Sequence, residues 1–277
     1  MSAVSLNTPL ADILSNRARD AHRVRFQVTP DWQQGRTTFG GLLSVLAVQA
    51  MRDTFGADWP LRALQTNFVG PVAPGECTAE VTLLRQGKNI RQVQCRILQT
   101  NADGQEEVGG VLLGVFGVAR DSGLPALNAT QPATAKAPED ALLLPFIPGL
   151  TPEFTRYLEF RVSEGGIPFT NSPDWHSRTH IRLKQPDSID HELMSILLAD
   201  AGPTPALARL NRPAPASSVS WALELRPVTA TFAPDGHWRM DKDALVVSEG
   251  YVNERTHLWT PDGQLAALGY QVVAVYG

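Results

Sequence analysis

The sequence predicts an α+β protein in which one unit, a long helix against an antiparallel sheet, occurs twice. The first observation is an Asp-Gly-Gln turn between two strand-like runs, at Asp103–Gln105 and again at Asp262–Gln264. The second is that each turn follows, at a nearly constant offset, an apolar helical segment (residues 42–54 and 191–201) and a strand that ends at a proline. A repeat with so long an offset indicates a duplicated domain and not a solenoid.

The elements of the first copy follow in a regular order. Residues 24–28 alternate between apolar and polar side chains, as a strand does. Phe39-Gly40-Gly41 leads into a segment that is apolar on nearly every side, which is typical of a helix wrapped by a sheet. Short turns then separate strands that suit an antiparallel meander, predicted at 61–69, 76–86, 90–100 and 107–119.

The second copy follows a stretch of different composition. Ala, Pro and Thr dominate residues 126–137, which is typical of a solvated linker. Asp190 is a candidate N-cap for the second helix, which Gly202-Pro203 ends. Strands are predicted around this helix at about 157–162, 178–183, 216–226, 244–250, 252–260 and 265–276. The predicted organisation is therefore an N-terminal domain over 1–120, a linker over 121–153 and a C-terminal domain over 154–277.

Two such units describe a tandem (double) hot dog fold, with two long helices each wrapped by an antiparallel sheet. We expect the two sheets to join edge to edge and to leave both helices on the same face.

Composition excludes several function classes. Hydrophobic residues at 43% and charged residues at 19% are globular values, and a net charge of −4 without a basic stripe argues against nucleic acid. There is no apolar run of membrane-spanning length and no signal-peptide core in residues 1–25. Cys77 and Cys95 have no metal or disulfide spacing. We expect a cytoplasmic protein with no nucleic-acid or membrane partner and no metal or cofactor.

Polar side chains mark the second copy where the first copy is apolar. Asp200 follows a run of Ile and Leu in the second predicted helix, where an uncompensated carboxylate would be costly to bury. Gln271 stands among apolar residues in the last strand, and Ser217 and Ser218 begin the strand after the helix. A carboxylate, an amide and a hydroxyl can position a water, with the carboxylate accepting its proton. Each residue alone also has a structural explanation, as a solvent-exposed residue at the end of a strand or a half-exposed residue at the end of a helix.

A family resemblance rests on five short strings: Thr38-Phe39-Gly40-Gly41, Phe68-Val69-Gly70-Pro71, Arg85-Gln86-Gly87-Lys88-Asn89, Leu198-Ala199-Asp200 and Tyr270-Gln271. In this order they resemble the thioesterase-like superfamily, and more narrowly its double hot dog acyl-CoA thioesterase II type. The resemblance spans roughly residues 20–119 and 155–276. It implies hydrolysis of acyl-CoA thioesters to free acid and CoA, a role in lipid metabolism, and a water oriented by an Asp, a Gln and a Thr or Ser. Asp200 and Gln271 match the first two.

The position of the hydroxyl is open at this point. Strand alternation favours Ser218, because it places Ser218 and Ser220 on one face and Trp221 on the other. Aligning the strand on Arg226 instead selects Ser217. Two departures from the family pattern accompany this choice, since serine replaces the commoner threonine and Ser220 stands where an acidic residue is frequent.

Gly40 and Gly41 are candidate substrate-binding residues. Their backbone N–H groups lie at a predicted helix N-terminus and would polarise a thioester carbonyl. Glycine at a helix entry is also common for purely conformational reasons.

Other catalytic motifs are missing from the sequence. There is no G-x-S-x-G elbow, no G-x-G-x-x-G or Walker loop, and no metal-binding spacing among the six histidines. Two alternatives to a thioesterase stay open. One is a non-catalytic acyl-CoA or acyl-group binding protein, since fold alone does not determine function. The other is a hydratase, which is disfavoured because it would pair an Asp and a His near a helix start and no such pair is apparent in the sequence. A homodimer is the expected assembly.

Overall fold

The computed structural model describes residues 7–186, 189–228 and 232–276. The α-helices are α1 (Leu10–Ser15), α2 (Gly40–Phe55) and α3 (His191–Ala201), and short 3₁₀ turns cover Pro30–Trp32, Glu153–Tyr157 and Pro205–Arg209. The strands are β1 (Ala18–Asp20), β2 (Arg23–Val28), β3 (Gln33–Gln34), β4 (Thr37–Thr38), β5 (Leu61–Phe68), β6 (Gly75–Gln86), β7 (Ile90–Thr100), β8 (Glu106–Gly117), β9 (Leu142–Leu144), β10 (Leu158–Gly165), β11 (His176–Leu183), β12 (Ala216–Leu225), β13 (Trp238–Ser248), β14 (Tyr251–Trp259) and β15 (Leu265–Val275).

Thirteen strands of the described chain form one antiparallel sheet, and β3 and β4 form a separate short hairpin. The sheet order is β1-β2-β6-β7-β8-β5-β12-β15-β14-β13-β11-β10-β9. The strands of the two halves meet where β5 pairs with β12, with Leu64 opposite Leu223 and Thr66 opposite Trp221. The large sheet is therefore continuous from one half of the chain to the other.

The helices predicted over 42–54 and 191–201 correspond to α2 and α3. Both are apolar around most of their circumference, and both belong to one core cluster that the sheet covers. A Cβ placed on Gly41 would lie 3.0 Å from Leu197 O, and Arg52 forms an ion pair with Glu192. The start of α2 therefore lies beside the end of α3, and the two helices run antiparallel. None of the helices in the described ranges is both long and apolar enough to cross a membrane.

Capping and turn residues explain where the elements begin and end. Asp190 caps α3, accepting a hydrogen bond from the backbone N–H of Glu192 at 2.7 Å. The two Asp-Gly-Gln turns join β7 to β8 and β14 to β15. Gly104 and Gly263 adopt φ values of 78° and 80° there, which favour glycine.

Two differences from the sequence prediction have a clear physical reason or place in the sheet. Strand β13 begins at Trp238 and not near residue 244, because its first half carries charged side chains that are paired: Arg239 bonds to Asp241. A run of paired charges hides the apolar alternation that marks a strand. Part of the predicted linker also joins the sheet, since β9 pairs with β10 at its edge.

Candidate functional site

Asp200 lies in the last turn of α3, with only 9% of its surface exposed. The helix is buried along its length from Leu193 onward, so its polar penultimate residue is carried into the interior. An ionised carboxylate in such a position requires hydrogen-bond donors.

Gln271 supplies one of these donors from the inner face of β15. Its neighbour Tyr270 is 58% exposed, so strand alternation turns Gln271 inward, where it is 5% exposed. Its Nε2 donates to Asp200 Oδ1 at 2.9 Å and to Ser218 Oγ at 2.6 Å. Because an ionised carboxylate only accepts hydrogen bonds, the amide nitrogen and not its oxygen must face Asp200. The amide of Gln271 therefore links the other two side chains predicted from the sequence, Asp200 and Ser218.

A β-bulge turns Ser218 into the site. Pairing between β12 and β15 shifts between Ser218 and Ser220, which leaves Val219 as an extra residue. Ser218 consequently lies opposite Val273 and shares the inner face with Trp221, which lies opposite Gln271. The choice of Ser218 as the residue beside Gln271 agrees with this geometry, but the alternation used to reach it was wrong. A regular strand counted back from Trp221 would present Ser217.

Ser217 lies outside the site. It is exposed, and the contact of its hydroxyl is to the backbone oxygen of Ser218 at 3.4 Å. Ser220 is half-buried and pairs with Asn67 of β5, where the two halves of the sheet meet.

The N-terminus of α2 closes the site from the other half of the chain. A Cβ placed on Gly40 would lie 2.9 Å from Asp200 Oδ2 and 2.8 Å from the Phe68 ring. The missing side chain at position 40 therefore leaves room next to the second carboxylate oxygen. The backbone N–H of Gly41 acts on Asp200 as a hydrogen-bond donor that lowers its pKa. Of the two glycines, Gly41 is thus engaged with the carboxylate itself.

Burial raises the pKa of Asp200 to about 6, against the opposing effects of Lys242 and of the hydrogen bond from Gln271, which lower it. Glu254 raises it further through its negative charge. A carboxyl with a pKa near 6 is largely ionised at neutral pH and is still basic enough to accept a proton from water.

Lys242 and Glu254 are the residues that the sequence interpretation missed. Lys242 stands in the run Asp241-Lys242-Asp243, which has the appearance of a solvated strand end. Each of the pair is only 1% exposed, and Lys242 Nζ donates to Glu254 Oε1 at 2.9 Å. The period-2 spacing of Lys242 from the buried Met240 was the signal available in the sequence.

An Asp and a His do occur together at a helix start, contrary to the sequence interpretation. Asp190 and His191 begin α3, but Asp190 caps the helix and His191 packs against Phe232 and Trp238. They lie at the opposite end of α3 from Asp200 and do not form a pair facing the site. Within the described ranges, no group of three or more His, Cys, Asp or Glu residues could hold a metal ion.

Comparison with known families assigns both halves of the chain to one family. Residues 28–117 match the model of the acyl-CoA thioesterase N-terminal domain, and residues 138–275 match that of the acyl-CoA thioesterase C-terminal domain. Together the two matches account for most of the chain, in the order N-terminal then C-terminal. The chain therefore belongs to the acyl-CoA thioesterase family. No curated protein gives a significant sequence match.

Solved structures share the fold at low sequence identity. A hot dog protein of unknown function from Alicyclobacillus acidocaldarius is 20% identical, with a TM-score of 0.81 over 98% of this chain and 99% of its own. A putative thioesterase II from Thermobifida fusca is 17% identical, with a TM-score of 0.79 over 98% of each chain. The acyl-CoA thioesterase II TesB2 from Mycobacterium marinum is 18% identical, with a TM-score of 0.71 over 97% of this chain and 99% of its own. At these identities the likeness concerns the hot dog fold.

Proposed function

We propose that the protein hydrolyses acyl-CoA thioesters to the free acid and CoA, with Asp200 as the base that activates water. The observation that carries the proposal is the pair of hydrogen bonds from Gln271 Nε2, which tie Asp200 and Ser218 together at a helix N-terminus. A buried carboxylate that accepts hydrogen bonds from an amide and a backbone N–H, with a hydroxyl on the same amide, is suited to directing one water molecule at a carbonyl carbon.

Each group has a distinct part in the proposed reaction. Ser218 Oγ accepts from Gln271, so the serine hydrogen is free to hold the attacking water or a substrate oxygen. Asp200 accepts a water proton as the water oxygen bonds to the thioester carbon. The backbone N–H of Gly40 and the positive end of α2 then stabilise the oxygen on which negative charge develops. As the carbon–sulfur bond breaks, Asp200 returns the proton to the departing CoA sulfur.

We also propose the tandem arrangement that the sequence predicts, in which two hot dog units over 1–120 and 154–277 each wrap one long helix. The antiparallel helices α2 and α3 and the pairing of β5 with β12 support it. In this arrangement the site draws Asp200 from one unit and Gly40 from the other. A homodimer of such chains is the proposed assembly, to be measured by sedimentation.

The first experiment is release of free thiol from a panel of short, long, branched and aromatic acyl-CoAs. The wild-type protein should release CoA from at least one member, and Gln271→Ala should turn over that substrate more slowly. Gln92→Ala, on β7 in the other half of the sheet, is the matched control and should keep the wild-type rate. Binding of acyl-CoA by calorimetry without release from any member of the panel would make the protein an acyl-CoA binder and not an enzyme.

A further inference from the structure

Beside the proposed base lies a buried ion pair that the mechanism above does not use. Lys242 on β13 and Glu254 on β14 are each 1% exposed, and their charged atoms are 2.9 Å apart. Glu254 lies directly opposite Gln271 in the pairing of β14 with β15. The pair therefore extends the polar row of the inner sheet face from Ser218 and Gln271 toward β13.

Lys242 also holds the end of the helix that carries Asp200. Its Nζ donates to the backbone oxygen of Gly202 at 2.9 Å, and Gly202 is the C-cap of α3. A cation at this point satisfies a terminal carbonyl and complements the negative end of the helix. The contact lies two residues from Asp200, so the ammonium group fixes the last turn in which the carboxylate sits.

A buried pair of this kind is expensive to form, and replacing it with apolar residues is often neutral or stabilising. Glu254 carries part of this unfavourable free energy, because its Oε2 is buried and has no hydrogen-bond partner among the described residues. Stability alone therefore gives a weak reason for the pair, whereas its place beside Asp200 gives a functional one.

We propose that Lys242 and Glu254 are positioning residues for Asp200, which hold the end of α3 and decide the pH range in which the Asp200 carboxylate is ionised. The inference rests on the proposed function for its catalytic meaning. The groups facing Asp200 from the other elements are uncharged: the N–H of Gly41 on α2, the amide of Gln271 on β15 and, next to that amide, the hydroxyl of Ser218 on β12. Lys242 and Glu254 are thus the charged side chains that act on it most strongly.

The two charges act on Asp200 in opposite directions, which separates an electrostatic role from a merely structural one. Removing the positive charge with Lys242→Met should move the titration midpoint of Asp200 up by about one pH unit. Removing the negative charge with Glu254→Gln, which keeps the size of the side chain, should move it down by a smaller amount, because Glu254 acts on Asp200 less strongly than Lys242 does. Lys242→Arg should stay close to wild type, and Lys88→Met in an exposed turn is the control for lysine loss.

The midpoint is measured by ¹³C NMR of the aspartate carboxyl carbons, with the Asp200 signal assigned by its loss in Asp200→Asn. The pH profile of kcat/KM for thioester hydrolysis should shift in the same two directions. Midpoints that move together, or that do not move, overturn the inference. If Lys242→Met does not fold, Glu254→Gln alone decides the inference. A lowered midpoint of Asp200 supports it, and an unchanged midpoint overturns it. Because the NMR titration needs no turnover, a wild-type protein that hydrolyses nothing would refute the proposed function while this test remains decisive.

Discussion

Asp200→Asn should stabilise the protein at neutral pH, because the wild-type site holds a buried charge that folding disfavours. The pKa of Asp200 rises from 3.8 to about 6 on folding, so the folded protein binds the proton more tightly than the unfolded chain does. A shift of this size, at about 1.4 kcal/mol per unit, corresponds to about 3 kcal/mol of stability. This contribution is present below pH 4 and is lost as the pH rises through about 6.

The expected gain of Asp200→Asn is therefore at most about 3 kcal/mol at pH 7 and vanishes near pH 3.5. Asparagine has nearly the same shape, and its Oδ1 can still accept the hydrogen bond from Gln271. Urea unfolding of wild type and variant at both pH values measures the difference. A variant that is less stable than wild type at pH 7 would refute the electrostatic account of the site. So would a variant that is more stable than wild type by the same amount at both pH values.

Four further outcomes follow from the same geometry. Ser218→Ala should lower kcat about tenfold, since it removes a hydrogen bond of about 1 kcal/mol and one constraint on the water. Ser217→Ala should change neither kcat nor KM, and a loss equal to that of Ser218→Ala would show that the bulge does not select the hydroxyl. Gly40→Ala should lower kcat more than it weakens substrate binding, because its methyl group would meet Asp200 Oδ2 and the Phe68 ring. In steady-state kinetics, kcat/KM should rise with pH through about 6 and then level off, as Asp200 ionises; a profile flat from pH 5 to 8 would contradict this role.

The parts of the fold that repeat in the sequence were the parts that could be predicted. Apolar periodicity and glycine turns reveal α2, α3 and the strands of the meander, because burial and backbone conformation impose those patterns locally. The start of β13 was missed because Arg239 and Lys242 are buried against partners that lie elsewhere in the chain, the backbone oxygen of Pro132 and the carboxylate of Glu254. A partner that is remote in sequence leaves no local signal.

The residues of the candidate site likewise divide into those that the sequence could predict and those that it could not. Asp200 and Gln271 stand out because a polar residue in an apolar run must find a hydrogen-bond partner inside the protein. The orientation of Ser218 depends on a bulge, and strand periodicity cannot reveal an extra residue. That Gly41 acts on Asp200 across the two halves depends on how α2 packs on α3, which only the tertiary structure provides.

The central claim is that Asp200 is the base for hydrolysis, and the turnover rate of Asp200→Asn tests it most directly. Thiol release from the best acyl-CoA should fall by a factor of about 10² to 10⁴, because the amide cannot accept the proton of water. Binding of the same acyl-CoA, measured by calorimetry, should persist, with Asp103→Asn in an exposed turn as the control. An Asp200→Asn variant that hydrolyses acyl-CoA at the wild-type rate would contradict the account.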